Sequence, residues 1–91
     1  MYAVYTEWHI DGFEEADGYT VEDAREDAGE AKRQALEAAE SLRDEWQGHP
    51  ADSWWRVDVL ECEDDEDLDY MLGENGPDGV PSILHIDELN V

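Results

Sequence analysis

Eight residues at three- and four-residue intervals, Val21, Ala24, Ala28, Ala31, Ala35, Ala39, Leu42 and Trp46, organise the middle of the chain. That period is helical and draws one apolar stripe down one face. It predicts a single long helix over residues 20–47. Thr20 with Asp23 three residues on approximates a capping box at its start, and Gly48 and Pro50 stop it. Gly29 weakens the interior by up to ~1 kcal/mol relative to alanine. Because the stripe is mostly alanine, this helix can lie close against a sheet.

The flanking segments supply the sheet. Residues 2–10 alternate, with Tyr2, Val4, Thr6, Trp8 and Ile10 on one face and Ala3, Tyr5, Glu7 and His9 on the other. Residues 54–62 alternate too: Trp55, Val57 and Val59 point one way, Trp54, Arg56, Asp58 and Leu60 the other. Leu68, Met71 and Leu72 mark a short amphipathic helix with acids in its first turn and Gly73 as its stop. Residues 75–79 are a turn cluster, and residues 82–87 make a third strand with Leu84 and Ile86 buried.

The order is β-α-β-α-β. The expected fold is α+β, a small three-stranded sheet with the long helix on one face and a short second helix, residues 1–91 forming a single acidic domain. A helical crossover between the first two strands suggests a parallel pair. The free edge of so small a sheet could join two copies in a homodimer.

Charge limits what this domain can meet. Against 27 Asp and Glu stand 5 Lys and Arg, a formal net of −22. For a surface of order 5,000 Å², that is roughly one carboxylate per 200 Å². Self-repulsion at this density costs stability, so a use for it is expected. Nucleic acid and anionic membrane are excluded as direct partners, being polyanions themselves. A partner should be basic. An apolar share of 41% with four tryptophans argues against disorder.

Cys62 is the lone cysteine, so no intramolecular disulfide is expected and a reducing cytoplasm fits. The opening residues show no basic segment followed by an apolar run, and no apolar stretch is long enough to span a membrane. The expected location is the cytoplasm.

No enzyme motif stands out, and no cofactor is expected. Ser41, Ser53 and Ser82 lie in no nucleophile motif, Cys62 carries no thiol-enzyme signature, and the glycines form neither a dinucleotide fingerprint nor a P-loop. His9, His49 and His85 lack paired-ligand spacing. Asp65, Asp67 and Asp69 match the first, third and fifth positions of a calcium loop. However, Tyr70 stands where glycine is required and Gly76 where a bidentate glutamate is required.

The long helix carries the more specific signal. At 100° per residue, Glu22, Asp23, Glu26, Asp27, Glu30, Glu37, Glu40, Asp44 and Glu45 cluster opposite the alanine stripe. Arg25, Lys32 and Arg43 border the stripe, leaving Arg33 alone on the outer face. Rows such as Glu22–Glu26–Glu30 and Glu40–Asp44 rise ~6 Å per step. Phosphates along one DNA strand advance ~3.4 Å per nucleotide. A row of carboxylates can therefore stand in for phosphates. The expected partner-binding residues are Glu22, Glu26, Glu30, Glu37, Glu40 and Asp44, with Asp64, Asp65, Glu66 and Asp67 as a second cluster. Trp54 or Tyr19 could add aromatic anchors.

In size, acidity and α+β layout, the chain resembles the DNA-mimicking inhibitors that phages make against host defence, the anti-CRISPR and anti-restriction proteins. The resemblance rests on whole-chain composition, and no residue role is carried over. It implies a non-enzymatic inhibitor in the host cytoplasm. Its partner would be a basic nucleic-acid-binding complex, such as a CRISPR surveillance complex or a restriction enzyme. Two alternatives use the same composition. One is an ordinary domain of a salt-loving organism, whose acidity keeps it soluble. The other is an immunity or antitoxin protein that neutralises a basic toxin.

Overall fold

The structure, a computed structural model, describes residues 1–22, 25–46 and 48–89. Among the described residues, four strands, β1 (Tyr2–His9), β2 (Gly18–Val21), β3 (Trp54–Glu61) and β4 (Ser82–Leu89), form one antiparallel sheet in the order β2-β1-β3-β4. Helix α1 (Ala28–Glu45) follows β2, and α2 (Asp65–Asn75) lies between β3 and β4. The class is α+β as expected, but the sheet has a fourth strand. The two strands expected to form a parallel pair, β1 and β3, are antiparallel neighbours.

The start of the predicted long helix is the main correction. Residues 18–21 form β2, with Thr20 opposite Thr6 and Gly18 opposite Trp8. A Cβ on Gly18 would lie 2.8 Å from the Trp8 ring, so glycine lets the indole cover this position. Trp8 Nε1 also donates to the carbonyl of Ala16 at 2.8 Å, fastening the loop that brings β2 back. Pairing continues beyond the strand: Glu22 N donates to Val4 O, and Tyr2 and Arg25 exchange backbone hydrogen bonds. Backbone groups spent on β1 cannot open a helix. The helix therefore begins after Asp27, whose side chain accepts from Gly29 N at 2.9 Å and Glu30 N at 3.2 Å. Asp23, Ala24 and Gln47 lie outside the described residues.

From Ala28 onward the stripe behaves as its spacing requires. Ala31, Ala35 and Ala39 are fully buried against Val4, Trp55, Val57 and Val59, with Trp46 closing the end of the cluster. Their methyl-sized side chains let the helix axis sit close to the sheet. Gly48, at φ 93°, turns the chain after the helix.

The second helix covers only part of the opposite face. Its Leu68 packs with Ala3, Tyr5, Leu60, Cys62 and Val80. It runs past the expected stop at Gly73 and ends at Gly76, where φ is 70° and the amide donates to Leu72 O. β4 extends two residues beyond expectation, and a register shift between Val59 and Leu60 offsets it at one end. Leu84 and Ile86 pack on the α1 side.

Candidate functional site: carboxylate faces and an open sheet face

Of the residues expected to bind a partner, Glu30, Glu37, Glu40 and Asp44 share the exposed side of α1. They fall within about an 80° arc opposite Ala31, Ala35 and Ala39, and span ~21 Å along the axis. Arg33 lies in the same arc. Arg43 is drawn away from it: its Nε donates to Glu88 Oε2 at 3.0 Å, with the guanidinium 5.8 Å from the Trp55 ring centroid.

Glu22 and Glu26 do not join this row. Glu22 follows β2 and Glu26 lies in the bend before the helix, so Glu22–Glu26–Glu30 is not a helical ladder. Arg25, also off the helix, sits between two of them, 3.5 Å from Glu22 and 3.4 Å from Glu30. It offsets charge at the N-terminal end of the row. Glu37, Glu40 and Asp44 form its anionic centre.

The second cluster sits elsewhere. Asp64 caps α2, accepting from Asp67 N at 2.7 Å, and Asp67 accepts from Glu63 N at 3.1 Å. Asp65 and Glu66 are exposed in the first turn. Asp65, Asp67 and Asp69 thus lie on a helix and not in a calcium-type loop. Since α1 and α2 pack on opposite faces of the sheet, the two clusters point away from one another. One flat partner surface cannot take both.

A polar network on the α2 side of the sheet was not foreseen. The Asp58 carboxylate is 1% exposed. It accepts from Arg56 Nε at 2.8 Å and from His85 Nδ1 at 2.6 Å. Arg56 Nη1 reaches Asp78 at 2.9 Å, and His85 Nε2 faces Asp87 at 3.3 Å. The Asp58 hydrogen bond holds the His85 pKa above the usual histidine value, and the paired carboxylates raise Arg56 further. With a carboxylate at each ring nitrogen, the surroundings of His85 favour its protonated form. Alternation alone placed Arg56 and Asp58 on one face. The missing information was register, which sets His85 directly opposite Asp58.

A second group lies along the same face. His9 Nδ1 donates to Asp17 Oδ2 at 2.8 Å, while Asp17 Oδ1 accepts from Ile10 N at 2.9 Å. The contact raises the His9 pKa and lowers that of Asp17. Tyr5 Oη donates to Glu7 at 2.6 Å, and its ring stacks on Tyr19 with centroids 5.9 Å apart. Burial pushes the Tyr5 hydroxyl up, reinforced by that hydrogen bond.

The remaining candidates have structural surroundings. Ser53 is buried and accepts from Asp11 N, and the Ser82 hydroxyl donates to Leu84 O. Cys62 is buried in the α2 core, where desolvation raises its thiol pKa. His49 stacks on Trp46. Among the described residues, no helix is long and apolar enough to cross a membrane. Comparison with protein-family models, curated proteins and solved structures gives no match.

Proposed function

We propose that the protein is a non-enzymatic inhibitor of anti-CRISPR or anti-restriction type. In this reading it presents the outer face of α1 to a basic nucleic-acid-binding protein in place of DNA phosphates. One observation carries it: Glu30, Glu37, Glu40 and Asp44 form an exposed row on a helix whose other side is locked to the sheet. Such a row costs no ordering on binding beyond its side chains. Association would be steered by charge and weakened by salt. Glu22, Glu26 and the α2 cluster Asp64–Asp67 fall outside this contact surface.

The test is displacement of duplex DNA from a candidate basic nuclease or surveillance complex at ~0.1 M salt, within reach of a ~10 Å Debye length. The double variant Glu37→Lys/Asp44→Lys should lose displacement. Glu66→Lys on α2 should retain it. Equal losses from both changes would sink the localised contact surface.

The distribution of charge favours a second reading. Carboxylates also cover the β1–β2 loop (Asp11, Glu14, Glu15), α2 (Glu66, Asp69) and β4 (Asp87, Glu88), all exposed. Acidity on every side is what salt adaptation requires. Under that reading the charge reports the surrounding solvent and carries no information about a partner.

A further inference from the structure

We propose that the open sheet face beside Trp54 is a pocket for an arginine side chain of a basic partner. The proposal rests on the reading that such a partner exists; because this face lies opposite α1, the arginine comes from a segment of the partner that reaches round the sheet, not from the surface that meets α1.

The pocket, of about 280 Å³, is lined on the uncovered face by Tyr5, Glu7 and His9 of β1, Asp17, Tyr19 of β2 and Trp54 of β3. Its volume suits one side chain better than a whole small molecule. Strand alternation and register bring these groups together: Glu7 pairs with Tyr19 on one side, and His9 with Trp54 on the other. The aromatic walls are Tyr19, stacked on Tyr5, and Trp54, whose ring lies 5.9 Å from that of His9. Tyr19 is 66% exposed, which leaves its ring available to a ligand.

Charge selects the occupant. Asp17 is engaged at both oxygens, by His9 and by Ile10 N, so that pair is internally balanced. Among the described residues, Glu7 holds one hydrogen bond, from Tyr5. A carboxylate has about four acceptor positions, so capacity remains for a donor entering the pocket. Aromatic faces beside a carboxylate favour a planar cation that can stack and donate together. That describes guanidinium better than ammonium, which is a compact and strongly hydrated point charge.

Nuclear magnetic resonance of the ¹⁵N-labelled full chain tests this. Ethylguanidinium chloride is titrated at constant ionic strength against ethylammonium chloride, with Trp54→Phe identifying the Trp54 indole signal. The expected result is a saturable shift at Trp54 and Tyr19 with ethylguanidinium. It should be several-fold weaker with ethylammonium and lost in Glu7→Gln. Equal, non-saturating shifts with both cations would overturn the pocket, as would a titration unchanged by Glu7→Gln. The DNA-displacement assay separates the two proposals. If displacement depends on Glu37 and Asp44 while the ethylguanidinium shift is absent, the pocket falls and the α1 reading stands. If the shift is present without displacement, the pocket stands as a guanidinium site and the inhibitor reading falls.

Discussion

Asp58 on β3 and His85 on β4 meet across the sheet at 2.6 Å, a carboxylate with almost no solvent contact holding the Nδ1 hydrogen of a half-exposed imidazole. Arg56 completes the grip on the same carboxylate. Three polar groups are thereby satisfied where an unpaired one would be costly.

Asp58→Asn keeps the shape but removes the charge that Arg56 and His85 both face. Charge-assisted hydrogen bonds of this kind contribute about 1.5–3 kcal/mol. The variant should unfold at lower urea by roughly 2 kcal/mol, with the denaturant slope unchanged. A loss below about 0.5 kcal/mol would mean the network contributes little.

The two raised histidines set a pH dependence. Because His9 and His85 bind protons more tightly folded than unfolded, their contribution is fully present below the unfolded value of about 6.5. It is lost as pH rises through their folded values. Asp17, lowered in the fold, acts oppositely: its contribution is present above the ordinary carboxylate value and lost as pH falls through its folded one. Urea midpoints of wild type should therefore fall between pH 5.5 and 8.5 by more than those of His9→Gln/His85→Gln. Comparing the two proteins removes the general carboxylate repulsion, which both share.

The position of the helix start has its own test. Asp27→Ala should cost about 1 kcal/mol, since it removes the acceptor for Gly29 N and Glu30 N. Thr20→Val, at an exposed site in β2, should stay within about 0.5 kcal/mol. The reverse ranking would restore a helix beginning at Thr20.

Periodicity revealed β1, β3, most of β4 and the buried alanines from Ala31 onward, because each has one face pressed on a core. It failed at residues 18–22, 25 and 26, where the spacing of Val21 and Ala24 in the sequence continues the helical stripe and Thr20 imitates a cap. The competing signal was Gly18, whose need for the Trp8 ring becomes visible only when β2 folds back. The same gap explains the site. Glu30, Glu37, Glu40 and Asp44 were legible because a helix fixes their spacing locally. Asp58–His85 and the Tyr19–Glu7–Trp54 pocket depend on which strands pair and in what register, and nothing local encodes that.

In the proposed reading the carboxylates of α1 serve a partner and not a high-salt solvent. Near-ultraviolet circular dichroism of the tryptophans from 0.1 M to molar potassium chloride tests it most directly, because Trp46 and Trp55 are buried only when α1 packs on the sheet. The expected result is a full native signal at 0.1 M, little changed by added salt. A signal that develops only in molar salt would contradict it and assign the acidity to the environment.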